Sequence, residues 1–232
     1  NKITDPKAWE TNDKIRRFVS KNLAQAALEA NASKLIQESI TFFYKDNGNN
    51  WIDEEGQIKP ISWTQSALEA EANVLAFKGT SIKPVVLRFG GFYGGDSEIS
   101  QKMVQMGRYW ISPFFGIKEQ YQPLIHLENA AEAVLAAIKA EEGIYNVVDD
   151  EPLTRGQLDD ALAKALGKRG LIRIPTFIVS KESNVGEFVF RSARVSNKKF
   201  KEATGWKPRY RSGYEGIQAI VKDIKKESKI SV

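Results

Sequence analysis

The residues best placed to do chemistry are hydroxyls at the end of one short run. In Lys34–Tyr44, KLIQESITFFY, an apolar entry at Leu35 and Ile36 turns polar at Gln37, Glu38 and Ser39, then closes through Thr41 on Phe42-Phe43-Tyr44. This reads as a buried parallel strand with hydroxyls at its carboxyl end, the end that faces the ligand crevice in open α/β sheets. Ser39 or Thr41 there could orient a substrate oxygen. The plainer reading is a core strand with an incidental Ser. Other chemistries fall away. The chain has no cysteine, which excludes disulfides and thiolate nucleophiles. His126 is the only histidine, so no multi-histidine metal site is expected, and no metal.

The elements that must position these hydroxyls are legible from periodicity. Asp5–Asn31 opens on Asp-Pro, a helix start, and places Ile15, Phe18, Val19, Leu23, Ala26, Ala27 and Ala30 on one face. The strand at 34–40 follows. Lys45–Ile61 carries turn chemistry, and Ser62 or Thr64 opens a helix to about Phe77, with Gly79 beyond it. Pro84–Phe89 is a second β-branched strand running into Gly90-Gly91-Phe92-Tyr93-Gly94-Gly95. A helix near 98–107, an aromatic stretch at 110–115, an extended piece at 123–127, a helix at 129–140 and a strand at 144–148 come next. Thr154 caps a helix to Leu166, Ile172–Pro175 reads as a strand, and Tyr214–Lys226 as the last helix. Helix and strand alternating in this way predict α/β architecture: a Rossmann-like doubly wound parallel sheet with a small C-terminal α+β substrate lobe. The expected division is 1–150 for the dinucleotide-binding part, with 96–119 contributing to the substrate lobe, and 151–232 for that lobe.

Composition narrows the partners. The chain has 232 residues, 42% hydrophobic, and a net charge of +5. The excess is local, with ten Lys/Arg against four Asp/Glu between Lys198 and Lys229. Without interleaved aromatics this is the solvated face of terminal helices more readily than a nucleic-acid patch. No apolar run reaches the roughly 18 residues of a membrane span and the first residues hold no signal-peptide core. A soluble, cytoplasmic protein with neither nucleic-acid nor membrane partner is expected.

Set side by side, several of these pieces resemble the extended short-chain dehydrogenase/reductase superfamily, in its NAD-dependent epimerase/dehydratase branch. Ile36–Tyr44 is similar to that family's Ser-bearing strand and turn, Leu87–Gly94 to its second glycine turn, and Leu124–Ala130 to its "FIHVDDLA" segment. Tyr145–Val148 is similar to its "YNVG", and Arg194–Asn197 with Gly205–Pro208 and Tyr214–Ile217 to its closing motifs. The matches run in order over nearly the whole chain. The resemblance implies NAD or NADP as cofactor, approached by Ser39, Trp63, Phe89, Gly90 and Gly91. It implies a small-molecule substrate, a nucleotide sugar or similar hydroxyl compound, met by Phe92, Tyr93, Arg191 and Arg194. It also implies a homodimer through helices 5–31 and 64–77, both with alanine-rich faces.

Two departures matter. The family opens with a G-x-x-G-x-x-G turn for the pyrophosphate, and no such turn occurs here, so the chain is expected to be an N-terminally incomplete copy. The family's Tyr-x-x-x-Lys proton relay is replaced, with Trp63 at the Tyr position and Ala67 at the Lys position, and its strand hydroxyl falls on Ile40. An indole N–H is no base near neutral pH and a methyl holds no ribose. Catalytic candidates reduce to Ser39, Thr41 and Tyr44, with Tyr93 as a further substitute base. Two readings follow: an NAD(P)-dependent epimerase, dehydratase or reductase-like enzyme with a degenerate relay, or a non-catalytic dinucleotide- or metabolite-binding protein of the same fold. Arg88 and His126 are expected to be structural, and Tyr93 and Trp206 to be core aromatics.

Overall fold

The computed structural model describes residues 6–95, 97–176, 180 and 183–230. The long first helix forms, but in three pieces: α1 (Pro6–Lys14), a π-helical turn (Ile15–Val19) and α2 (Ser20–Glu29); Asp5 lies outside the described residues. The widened turn is braced by side chains. Ser20 Oγ donates to the Arg16 carbonyl, and Asn73 Nδ2 donates to the Arg17 carbonyl at 3.0 Å. A sequence pattern of period 3.6 cannot show such an insertion, because one extra residue shifts the apolar stripe by only a fraction of a turn. Asn31, at φ 53°, ends α2 in the left-handed region that Asn tolerates.

β1 (Lys34–Ile40), the short β2 (Trp51–Ile52), α3 (Gln65–Leu75) and β3 (Lys83–Phe89) follow, then β4 (Gly91–Tyr93), α4 (Glu98–Arg108), β5 (Leu124–His126), α5 (Leu127–Ala136) and β6 (Gly143–Val147). β1, β3 and β6 form one parallel sheet with β3 in the middle; Ile36 lies opposite Val85, Ser39 opposite Arg88, and Phe89 opposite Val147. This is the parallel α/β arrangement expected from helix–strand alternation. β3 is buried along almost its whole length, which is why it reads as a continuous apolar run rather than an alternating one. Two further parallel pairs, β4 with β5 and β2 with β7 (Arg194–Val195), extend the carboxyl end of the sheet.

The remaining helices are α6 (Arg155–Ala165), α7 (Asn184–Val189), α8 (Lys198–Thr204) and α9 (Gly213–Ile230). α6 opens on a full capping box, Thr154 accepting from the Gln157 N–H while the Gln157 side chain accepts from the Thr154 N–H. Ile172–Pro175 is not a strand: Ile172 makes only a single bridge to Ile111. Four residues without a regular partner have no ladder to join, whatever their β propensity.

Among the described residues three apolar clusters result, the smallest joining Tyr44, Ile52, Val148, Ala193 and Val195. Of the larger two, one lies on the sheet and joins Val85, Leu87, Phe89, Ile125, Ala133 and Val147 to Phe200 and Trp206. The other packs α4, α6 and α9 through Met103, Val104, Leu158, Leu162, Ile217 and Ile220, with Tyr93 between. Phe200 and Trp206 thus pin the α8 region onto the sheet core. Gly216 on α9 makes the notch for Tyr93: a Cβ there would lie 2.6 Å from the Tyr93 ring. Among the described residues no helix is long and apolar enough to cross a membrane.

Candidate active-site edge

Beneath the carboxyl end of the sheet lies a buried polar network, built by residues that a helix and three strands bring together. Glu71, on the inner face of α3, receives Ser39 Oγ at 2.5 Å and the fork of Arg88, with Nε at 2.9 Å and Nη2 at 2.7 Å. Arg88 Nη1 continues to the Tyr44 hydroxyl at 2.8 Å, and that hydroxyl donates to Asn146 Oδ1, also at 2.8 Å. The Asn146 N–H then donates to Glu54 Oε1 at 2.7 Å. The Arg88 guanidinium also lies 5.0 Å from the Phe43 ring centroid. All of these side chains are buried, so their polar atoms need partners inside the protein; among the described residues, Asn146 Nδ2 is the one buried atom of the network without one.

The network holds two of the three sequence candidates for catalysis. Burial pushes the Tyr44 hydroxyl up to about 12, against the pull of Arg88. A phenol held protonated in this way is not poised to take a proton near neutral pH. Ser39 is closed off with its hydrogen directed at Glu71. Thr41, equally buried, donates to the Phe89 carbonyl at 3.2 Å and ties the end of β1 to that of β3. Tyr93 is no more available: its hydroxyl donates to Asp149 Oδ2 at 2.7 Å, and burial together with the Asp149 charge raises it well above a free tyrosine. His126 caps α5, its Nδ1 accepting from the Glu128 N–H, and burial lowers its pKa.

The proposed ligand-contacting residues divide. Gly90 is buried, and a Cβ on it would meet the Leu124 backbone at 2.9 Å; its lack of a side chain serves the approach of β5. Phe89 belongs to the sheet core. Arg191 is buried and gives its guanidinium to the carbonyls of Phe42 at 2.5 Å and Lys59 at 3.0 Å. Arg194 lies on the Trp51 ring, 4.2 Å from its centroid. Gly91 and Phe92 remain open, and Trp63 is half-buried. Gly91 is partly exposed beneath the Phe42 ring, and Phe92 is exposed beside Phe89 at 5.3 Å. Trp63 packs edge-on against Phe188 of α7 at 5.5 Å, and Phe188 packs against Phe42 at 5.3 Å.

The carboxyl edge therefore carries Phe42, Trp63, Phe92 and Phe188, with the Ile40 side of β1 half-buried beside it. None of these groups titrates. Phe188 was not singled out in the sequence, and no local signal marks it, since it meets Phe42 and Trp63 from more than a hundred residues away. Glu71 and Glu54 were missed as well, although a carboxylate among Ala67, Ala70 and Val74 on the buried face of α3 is a readable sign of a buried partner.

A parallel sheet with helical crossovers and a glycine turn ending its central strand, beside a smaller helical core, is a Rossmann-like α/β fold, and solved structures share it. The human epimerase family protein SDR39U1, crystallised with NADPH, superposes with a TM-score of 0.83 at 19% identity, over 94% of this chain and 76% of that one. The dTDP-glucose 4,6-dehydratase of Bacillus anthracis, solved with NAD, gives 0.76 at 18% identity over 94% and 69%. In sequence, a 3-diazoavenalumate denitrifying reductase of Streptomyces sp is 25% identical over 226 residues, covering 91% of this chain and 73% of that protein. No family model matches the chain.

Proposed function

We propose that this protein is an NAD(P)-dependent reductase whose acceptor takes a hydride without needing a proton from a tyrosine–lysine relay. The observation that carries this is that Ser39, Thr41, Tyr44 and Tyr93 are all turned into the scaffold, while the aromatic side chains Phe42, Trp63 and Phe188 pack together at the carboxyl edge. A carbonyl acceptor becomes an alkoxide and needs an acid close by. A conjugated cationic acceptor such as an aryl diazonium does not. Hydride added to its terminal nitrogen gives a neutral diazene, which loses dinitrogen and keeps the hydrogen on the ring carbon. The diazo compound and the denitrifying reduction in the name of the Streptomyces relative are chemistry of this kind.

The dinucleotide fits the chain in part. Gly91 and Phe92 offer exposed surface to a nicotinamide, with the half-buried Trp63 at the family's tyrosine position, and the nicotinamide would supply the hydride there. Ser39, Phe89 and Gly90 are engaged within the fold, so their contribution is to hold that surface in place. Phe42 and Phe188 would stack on the acceptor and exclude water from it, and Arg191 would act by fixing the Phe42 backbone. Neighbours solved with NADPH and with NAD support either cofactor. A nucleotide-sugar substrate, as bound by MoeE5 with UDP-glucuronic acid, has less support, because Arg191 and Arg194 are held by their own chain rather than presented to a diphosphate.

A homodimer is part of the proposal. Ile15, Phe18, Val19 and Leu23 are exposed along the first helix, whereas the alanines of α3, Ala67 and Ala70, are buried within the protomer. Light scattering of the full-length gene product tests the dimer. For the activity, the full-length product is incubated with NADH or NADPH and either an aryl diazonium carboxylate or a panel of nucleotide sugars, following the reduced-nicotinamide absorbance. Consumption with the diazonium alone, lost in Trp63→Ala, is expected. Turnover of a nucleotide sugar instead would overturn the reading, and cofactor binding without any turnover would make this a binding protein.

A further inference from the structure

At the end of the α4–α6 core, far in sequence from the aromatic edge, one side chain is held outward against its own backbone preference. Trp110 follows the last turn of α4 at φ 66°, in the left-handed region that glycine normally occupies at this position. Two hydrogen bonds fix it there: Trp110 N–H to the Gly107 carbonyl and Ile111 N–H to the Met106 carbonyl, each at 3.0 Å. Lys168, from the turn after α6, donates to the Arg108 carbonyl at 2.9 Å and lies 3.7 Å over the indole ring. The Ile172 N–H, 2.7 Å from the Trp110 carbonyl, joins the two turns. A bulky residue in this conformation marks either strain with a purpose or a place where glycine would serve better.

The surroundings point to a purpose. Tyr109 and Ile172 are each 70% exposed and Trp110 49%, and Ile111 stands beside them. Arg108, Lys164 and Arg169 are exposed in the two segments that carry this apolar cluster. Neither contributing segment, 99–117 or 161–176, contains an Asp or Glu. Tyr and Trp with apolar rings and polar tips, together with long cationic side chains, are the composition of a surface that settles into a lipid headgroup layer. A protein partner of matching hydrophobicity would not require the one-signed charge; an anionic bilayer does.

We infer that this tip is an attachment surface for an anionic membrane. The mode is peripheral, with Trp110, Tyr109 and Ile172 entering the interface and the basic side chains meeting the headgroups. The lack of a spanning segment, from which no membrane partner was expected, does not bear on a contact of this kind.

The test is flotation of the full-length protein with vesicles of phosphatidylcholine alone, or with a third of the lipid replaced by phosphatidylglycerol. Binding to the anionic vesicles only, weakening as salt is raised, is expected. Trp110→Gly suits the left-handed backbone and keeps the fold; it should lower the bound fraction about tenfold, as should Tyr109→Ser with Ile172→Ser. Lys168→Gln with Arg169→Gln should lower it on anionic vesicles. Equal binding to both vesicle types, or unchanged binding by the Trp110→Gly protein, would overturn the inference. So would a change in sedimentation coefficient for Trp110→Gly with no vesicle binding by either protein, which would make the tip a contact between copies of this chain.

Discussion

The two sides of the β1–β3 carboxyl end contrast sharply. Below it, Ser39, Glu71, Arg88, Tyr44, Asn146 and Glu54 form a buried chain of charge-assisted hydrogen bonds. Above it, Phe42, Trp63 and Phe188 pack as a run of aromatic rings, with Phe92 exposed beside Phe89. Polar residues at the end of a parallel strand are commonly read as reactive. Here alternation along β1 sends Ser39 into the scaffold and leaves Ile40 on the other face. Burial and saturation with partners, not residue type, separate a structural hydroxyl from a catalytic one.

The contrast breaks most visibly at Arg88. Arg88→Leu leaves the Glu71 carboxylate buried with only Ser39 for company, and should cost about 3–5 kcal/mol by urea unfolding. Tyr44→Phe removes one link and leaves an Arg88 N–H and the Asn146 amide short of a partner, for about 1–3 kcal/mol. Its turnover in the folded state should be unchanged; a large loss of turnover at normal stability would move Tyr44 from the scaffold to the chemistry.

The third test uses pH. Burial raises Asp149 to about 7, above its unfolded value near 3.9. The folded state then binds more protons than the unfolded chain between about pH 4 and pH 7, so this group's contribution to stability falls as pH rises through that window. Asp149→Asn should remove the fall, seen as a flatter Tm profile. His126, lowered by burial, acts in the opposite sense at the acid end, since it must charge to titrate. The wild-type-minus-variant difference therefore isolates Asp149. The smallest stability effect belongs to the aromatic run itself. Trp63→Ala removes a half-buried ring and should cost about 1 kcal/mol or less, while hydride transfer falls about tenfold or more.

Much of this was legible in the sequence, for physical reasons that also explain the gaps. β3 announced itself as an unbroken apolar run because both faces of a central parallel strand are covered. α6 announced its start through Thr154 and Gln157. Pairings set by distant chain left no local trace. Trp51–Ile52 finds Arg194–Val195 across more than 140 residues, and Phe188 reaches Phe42 across a similar span. Trp63 and Ala67 were readable as non-titrating residues at the positions that the resemblance assigns to a relay. That the surviving hydroxyls were sealed was not, because sealing depends on Glu71, Arg88 and Asn146, which meet only in the fold.

The anchoring of α3 has a consequence for how this protein could be altered. Glu71 clamps the helix to the sheet two turns beyond Trp63, and Ser39 and Arg88 hold that clamp from the strands. Position 63 can therefore change its chemistry while the helix keeps its register. Ala67 cannot follow it: its methyl is fully enclosed, and a lysine there would place an ammonium in the packed interior. Positions 63 and 67 therefore differ in what substitutions they admit. A tyrosine fits at position 63 in one substitution, but a cation does not fit at position 67, so this scaffold admits new side chains at its aromatic edge and not in the packed interior behind it.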